Sequence, residues 1–204
     1  MDVVIEQGRE VMDRKELAKL LGVRELPCWA ALRWVNETGH TTVEEIWQNC
    51  TRADWLVWWL GHLKVERKRL VYIACQALRP ALQFAISDEP RIAIETAEAW
   101  TRGEATILKV QNAGAASLAH ACTIDPFLGG YAADVATAAS RIAYALRTRS
   151  VGACAFRISN ALYANARGDA VSNGWRDAAA QADAVRSLVS LDEVLALIGQ
   201  RKAK

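Results

Sequence analysis

The residues whose types and spacing could support chemistry lie in one short segment. Glu95 and Glu98 are three residues apart, which places two carboxylates on one face of a helix, as an acid–base pair could require. Arg91 and Arg102 each stand four residues from one of these carboxylates. Because this is also the spacing of ion pairs along a helix surface, we expect Arg91–Glu95 and Glu98–Arg102 pairs rather than a catalytic couple.

Other patterns typical of catalysis or metal binding are missing from the sequence. His40, His62 and His120 are isolated, with no second histidine three or four residues away, so no helical metal site is predicted. The five cysteines include no CxxC pair, and each stands among apolar neighbours, so we expect small buried side chains. HExxH, GxSxG and phosphate-loop motifs do not occur. We therefore expect no metal site, no cofactor and no catalytic centre.

Three tryptophans, Trp55, Trp58 and Trp59, fall within five residues and could stack on a ligand. Their spacing is more typical of a buried helix, although they span about 400° of helix rotation and cannot all face one core unless the helix is buried on most sides. We expect Trp55 in the core and leave Trp59 open between core and partner binding. The candidate partner-binding residues are Trp59, Arg67, Lys68 and Arg69.

Composition predicts an all-α fold. The chain has 204 residues, 52% of them hydrophobic, and a formal net charge of +2, which excludes a disordered chain. Alanine is concentrated between residues 93 and 184, and apolar residues recur at three- and four-residue spacing, so we expect a single-domain helical bundle or stack of about eight to ten helices with an alanine-rich C-terminal half. No apolar stretch is long enough to cross a bilayer and no signal pattern opens the chain, which predicts a cytoplasmic protein.

Capping and breaking residues predict where the helices begin and end. Asp13 and Glu16 have the spacing of a capping box, and Pro27 suits the first turn of a second helix. Pro80 should kink or end a helix over residues 70–86. Helices are predicted at residues 13–22, 28–35, 43–49, 52–63, 70–86, 91–100, 106–123, 131–149, 152–167, 175–189 and 191–198, with breaks at 125–130 and 168–174.

Two blocks of sequence resemble a known family. Residues 47–60 (WQNCTRADWLVWWL) resemble the W-x-x-C-x-R-x-D-W-L-x-W block of the immunity-protein-five-like family, small all-α proteins coded by bacteria and their phages. Residues 90–105 are similar to its R-x-A-I-E-x-A-E-x-W-x-R-G-E-A signature. Weaker similarity at 70–79 and 181–186 extends the resemblance over residues 28–189. It implies three segments: an N-terminal extension of short helices (1–25), an immunity-like helical domain (26–190), and a short terminal helix with a basic tail (191–204).

The resemblance implies a non-catalytic, protein-binding inhibitor that neutralises a toxin or a host-defence effector, with a phage-borne anti-defence or anti-CRISPR protein as one form. Its partner would be another protein, without membrane or nucleic acid, and the oligomeric state stays open. The signature residues present here are Arg52, Asp54, Trp55, Arg91, Glu95, Glu98 and Trp100. We expect them to hold helices together, with Arg91 or Glu95 partly buried and bridging to another helix near Arg52 and Asp54.

Two alternative functions are weighed against an inhibitor. Residues 14–23 resemble the first helix and turn of a helix-turn-helix, so residues 13–35 could form a DNA-binding regulator. Pro27 interrupts the second helix, and residues 1–92 carry 13 basic and 13 acidic side chains, so the electrostatic footprint of a DNA-binding protein is missing. The other alternative is an enzyme that places Arg91, Glu95 and Glu98 in a cleft.

Overall fold

A computed structural model describes residues 11–124, 126–146, 150–172 and 176–202. Within these ranges the chain forms eleven α-helices and one 3-10 helix and contains no strand, which confirms the all-α prediction. The helices are α1 (Arg14–Leu20), α2 (Trp29–Thr38), α3 (Val43–Asn49), α4 (Ala53–His62), α5 (Arg67–Leu78), α6 (Glu89–Thr101), α7 (Ile107–Ala121), α8 (Pro126–Ala145), α9 (Val151–Ser172), α10 (Arg176–Leu188) and α11 (Leu191–Lys202), with the 3-10 helix at Arg79–Phe84 between α5 and α6.

The first helices begin at the capping residues that the sequence indicates. The Asp13 carboxylate accepts the backbone N–H of Glu16 at 2.8 Å, and the Glu16 carboxylate accepts the backbone N–H of Asp13 at 2.7 Å. Thr42 and Glu45 form the same reciprocal pair at the start of α3. Each box satisfies backbone donors that a helix N-terminus leaves without partners, so these starting points are confirmed. Pro27, in contrast, precedes α2, whose N-cap is Cys28.

Prolines explain two further boundaries. The α5 helix ends at Leu78, and Pro80 lies in the 3-10 helix that follows, because proline lacks the N–H that would continue the α-helical ladder. The break predicted at residues 125–130 is wrong for 126–130, since α8 begins at Pro126, the first-turn position where proline is tolerated. The loop predicted at 168–174 is likewise wrong up to residue 172, where α9 ends. Tertiary packing can outweigh the low helix propensity of glycine.

One continuous core joins the two ends of the described chain. Leu17 and Leu21 from the N-terminal segment and Val194 and Ile198 from α11 belong to the same buried cluster as the centre of α4 and α5. The largest fully buried side chains are Leu17, Leu56, Leu60, Leu63, Leu70, Ile73, Leu78, Ile94, Ile142, Leu146, Ile158 and Leu162. Residues 11–25 and 191–202 therefore complete the core of the domain that lies between them.

Small residues allow close helix packing in the alanine-rich half. A stripe of small residues on α8 is buried: Ala132, Ala136, Ala139 and Ala143. A Cβ atom built on Gly114 of α7 would lie 2.7 Å from the Cβ of Ala143, so the missing side chain lets α7 approach α8. The approach of α4 to α9 is tighter: a Cβ on Gly61 would lie 2.0 Å from the Cβ of Ala155.

Replacing Gly61 by alanine should therefore destabilise the fold by about 2–3 kcal/mol, because α4 and α9 must move apart to admit the methyl group. Gly199→Ala in α11 is the matched control, since its Cβ meets nothing within 4 Å, and its better helix propensity should raise stability by up to about 1 kcal/mol. Urea unfolding measures both. A Gly61→Ala protein as stable as the Gly199→Ala protein would contradict the close approach of α4 to α9.

Candidate functional site

A cavity of about 550 Å³ opens between the N-terminal helices α1 and α2 on one side and α4 and α9 on the other. Its walls are mainly apolar and aromatic, with Trp34, Trp55, Trp58 and Tyr163 among the lining side chains. This size and chemistry lie within the usual range of ligand-binding pockets. We call it the aromatic cavity.

All three tryptophans of α4 line the cavity, and they differ in how deeply they are buried. Trp59 is 2% exposed, and its Nε1 donates a hydrogen bond to the Leu21 carbonyl at 2.8 Å, so its polar edge is satisfied inside the protein. Trp55 and Trp58 are half-buried in the cavity wall. Trp55, expected in the core, is only partly buried and packs against the core from the cavity wall, whereas Trp59, proposed for partner binding, is a core residue that also lines the cavity.

A buried ion pair stands in this apolar wall. Arg52, the residue before α4, donates from Nε and Nη2 to the two carboxylate oxygens of Asp54, both at 2.7 Å. Asp54 is only 4% exposed. Burial raises the pKa of the Asp54 carboxyl more than the Arg52 guanidinium lowers it, whereas the bonds to Asp54 outweigh the effect of burial on Arg52 and raise its pKa. The pair is the main charged feature of the cavity wall.

Aromatic side chains contact one another and the arginine of this ion pair in a continuous series. The Arg52 guanidinium lies 5.0 Å from the ring centre of Tyr163 on α9 and 4.6 Å from that of Trp55 on α4. The ring centres of Trp55 and Trp34 of α2 are 5.8 Å apart, and those of Trp34 and His40 are 5.1 Å apart. We call these five residues the aromatic ladder. Because it joins three helices, the ladder fixes the shape of the cavity.

Exposed apolar side chains lie in the lining of the cavity and next to it in sequence. Leu26 and Tyr163 line it and are also exposed to solvent, and Trp29, at the start of α2, is 68% exposed. The Arg14 guanidinium lies 4.7 Å above the centre of the Trp29 ring, and its Nε donates to the Pro27 carbonyl at 2.8 Å. We call Leu26, Trp29 and Tyr163 the mouth patch. None of these three residues was predicted as a site residue from the sequence; the available signal was a tryptophan in the first turn of a short helix.

His62 borders this region at the end of α4. The centres of its ring and of the Trp58 ring are 4.4 Å apart, and its Nδ1 lies 3.1 Å from the Glu25 carboxylate. Burial lowers the pKa of His62, and the nearby Glu25 charge offsets only part of that effect. The neutral imidazole is therefore the form that the fold favours.

The charged residues of the 90–105 segment do not form the expected pairs. Arg91 and Glu95 are exposed, and the ion pair of Arg91 is a long contact to Asp88 at 3.8 Å. Arg102 pairs with Glu104 at 2.7 Å. The prediction that Arg91 or Glu95 is buried and bridges to Arg52 and Asp54 is wrong, because these two residues lie on the solvent side of α6.

Glu98 is the buried charge on α6. Its carboxylate accepts hydrogen bonds from Arg79 at 2.6 and 2.9 Å and from Gln76 at 2.7 Å. Glu98 therefore connects α6 to α5 and to the 3-10 helix. Because Arg91 and Glu95 face away from it, the three residues do not share a cleft as the enzyme alternative requires.

The other candidate partner-binding residues, Arg67, Lys68 and Arg69, form the first turn of α5. The cationic groups of Arg67 and Lys68 lie 5.6 and 5.7 Å from the ring centre of Trp100, which they shield from solvent. Arg69 pairs with Glu193 and also donates to the Leu188 carbonyl, so it holds α11 against α5. These contacts support the fold, and none of the residues lines the aromatic cavity.

The N-terminal helices do not have helix-turn-helix spacing. Residues 21–28 separate α1 from α2, whereas that motif joins its helices by a turn of about three or four residues. The exposed side of α2 presents Trp29, Arg33 and Glu37, which is a poor surface for phosphate or base contacts.

Cysteine positions follow the expectation only in part. Cys50, Cys75 and Cys154 are buried, whereas Cys28 and Cys122 are exposed. Burial raises the pKa of the Cys50 thiol to about 12, so it is not a reactive thiolate. In the part of the chain that the structure describes, no group of three or more potential ligands could hold a metal ion. No helix in that part has the length and apolar character needed to cross a membrane.

No family model, curated protein or solved structure matches this chain. The resemblance to immunity proteins therefore depends on the sequence blocks quoted above and stays a hypothesis. Three of its signature residues, Arg52, Asp54 and Trp55, line the aromatic cavity.

Removing the arginine of the buried pair should be costly. Arg52→Ala leaves the Asp54 carboxylate buried without its partner, and we expect a loss of about 3–5 kcal/mol in the free energy of unfolding. Arg102→Ala is the matched control, because Arg102 and Glu104 have the same two-residue spacing on an exposed surface, and it should leave stability almost unchanged. Urea unfolding measures the free energy of unfolding of both variants. Equal losses would show that burial does not determine how much the Arg52–Asp54 pair contributes to stability.

Protonation of His62 should destabilise the fold. Because the folded-state pKa of His62 lies below its ordinary value of 6.5, its contribution to stability is fully present above pH 6.5 and is lost as the pH falls through the folded-state pKa. Glu25→Gln removes the charge that offsets burial, so the pKa of His62 should fall further. NMR titration of the imidazole in both proteins measures this, and an unchanged or higher pKa in Glu25→Gln would contradict it.

Proposed function

We propose that the protein is a non-catalytic inhibitor that binds another protein through the mouth patch and the aromatic cavity. The observation that carries the proposal is Trp29, a large indole that is 68% exposed and held in place by the Arg14 guanidinium beside an open apolar cavity. A fixed aromatic side chain at a pocket has the character of an interface hot spot.

The exposed apolar area of the mouth patch favours a surface that a partner protein covers. Leu26 and Tyr163 expose apolar area in the cavity lining, Trp29 exposes more between the lining residues Cys28 and Ala30, and burying such area in a complex is favourable. The Arg14 contact limits the motion of the Trp29 ring before binding, which lowers the entropic cost of association. Trp, Tyr and Arg, the residue types enriched at interface hot spots, all occur here.

The cavity indicates what the partner contributes. Its aromatic walls suit an apolar side chain, and its volume of about 550 Å³ is ample for one. Arg14 has no carboxylate partner among the described residues, so an acidic group beside the inserted side chain would complement it. The partner surface is therefore an apolar anchor residue with a neighbouring carboxylate.

The resemblance to immunity proteins narrows the class of partner. Its tryptophan-rich block contributes Arg52, Asp54 and Trp55 to the cavity wall, so the resemblance and the candidate site involve the same residues. A toxin or a defence effector, neutralised by occlusion of its surface, is the partner class that this supports, and a phage-borne anti-defence protein is one form of it.

Affinity purification of the tagged protein from its own host tests the proposal. We expect a partner protein to co-purify with the unmodified chain, and the affinity of the isolated pair, measured by calorimetry, to fall about 30-fold or more in Trp29→Ala. Ile86→Ala is the matched control, because Ile86 is an apolar side chain of almost equal exposure, 67%, that does not belong to the mouth patch and precedes α6. Equal affinities for the three proteins, or no partner for any of them, would overturn the proposal.

A further inference from the structure

We infer that the protein has a second binding site, a basic cleft formed by Arg24, Lys64 and Arg201 that takes the phosphate group of a small organic molecule. The cleft has a volume of about 490 Å³, and its lining contains these three cations and no carboxylate. It shares no lining residue with the aromatic cavity, so this inference does not depend on the proposed function.

The ends of three helices build the basic cleft. Gly22 follows α1, Lys64 follows α4, and Arg201 lies in the last turn of α11. A Cβ on Gly22 would lie 3.0 Å from the side chain of Ile198, and Arg201 donates a hydrogen bond to the His62 carbonyl. The three segments are therefore packed together, and the cations converge on a fixed surface.

Lys64 has a backbone conformation that lysine adopts at a cost. Its φ is 70°, and in the part of the chain that the structure describes it is the one non-glycine residue with a positive φ. The N–H groups of Lys64 and Val65 donate to the carbonyls of Gly61 and Leu60, both at 3.2 Å, which is the Schellman arrangement that ends a helix.

Two other helices end in the same arrangement with glycine. After α1 the residue with positive φ is Gly22, and after α6 it is Gly103. Glycine avoids the steric strain that a Cβ suffers in this region, so glycine would also suit position 64 better for stability alone. A lysine at this position, with its ammonium group in a cleft, indicates that the side chain has a use other than ending the helix.

The charges around the cleft leave it positive. None of Arg24, Lys64 and Arg201 forms an ion pair with a described residue. Each helix C-terminus contributes a partial negative charge of about one half, which is less than the full charge of each cation. A nearby carboxylate is Glu25, which pairs with His62 and is also attracted by the charge of Lys64. Three full positive charges exceed the sum of one carboxylate and three helix C-termini of about half a charge each, so a small net positive charge remains in the cleft for an anion.

The cleft has donors for phosphate and apolar surface for an organic group. Guanidinium and ammonium groups form strong charge-assisted hydrogen bonds with phosphate oxygens, and the Gln200 amide can donate another. Val23, Leu63 and Leu197 complete the lining with apolar surface. A phosphate monoester with an apolar substituent fits this combination better than a bare anion does.

Calorimetric titration with two probes, inorganic phosphate and phenyl phosphate, at pH 7.5 and constant ionic strength tests the site. We expect saturable binding that weakens about tenfold or more in Lys64→Gly, since one of three cations is lost. The same variant should melt about 2–4 °C higher than the parent, because glycine relieves the backbone strain. Reduced binding by a more stable protein cannot be ascribed to unfolding.

Lys68→Ala is the matched control, because Lys68 is an exposed lysine outside the cleft and its loss should not change binding. Tighter binding of phenyl phosphate than of inorganic phosphate supports an organic phosphate, and equal binding supports free phosphate as the natural source. The inference is overturned if neither probe shows saturable binding up to about 10 mM. It is also overturned if Lys64→Gly binds as tightly as the parent.

Discussion

A guanidinium group that contacts two aromatic rings and donates hydrogen bonds to both oxygens of one buried carboxylate determines the geometry of the aromatic cavity. Arg52 can occupy this position because Asp54 supplies the negative charge that a buried cation requires. The contacts continue through Trp55 to Trp34, so the placement of α2 depends on the same pair. The candidate site is thus part of the packing of the fold, and the ion pair provides orientation more than net stability.

Local signals in the sequence were sufficient for most of the secondary structure. The capping box at Asp13 and the helix end before Pro80 depend on residues a few positions apart, which spacing alone reveals. The start of α8 was placed several residues late, because two consecutive glycines were interpreted as a break. Packing of the rest of the helix overrides such local preferences, and this information lies elsewhere in the chain.

The candidate site was harder to predict, since its parts are distant in sequence. Nothing near Trp59 indicates that the Leu21 carbonyl accepts its indole N–H, and without that contact a core position cannot be distinguished from an exposed one. Arg91 and Glu95 were misplaced for a related reason: helical spacing shows which residues share a face but not which face is buried. Glu98 became the buried charge because Arg79 and Gln76 lie opposite it.

The contact between Gly22 and Ile198 has a consequence for the order of folding. Residues near the two ends of the described chain belong to one core, so the loop that carries Arg24 and Leu26 gains its full support only after α11 has docked. During synthesis the first helices emerge long before their last packing partner is made. Contacts of such long sequence separation form late, and until then the apolar face of α1 is exposed to chaperones and to aggregation.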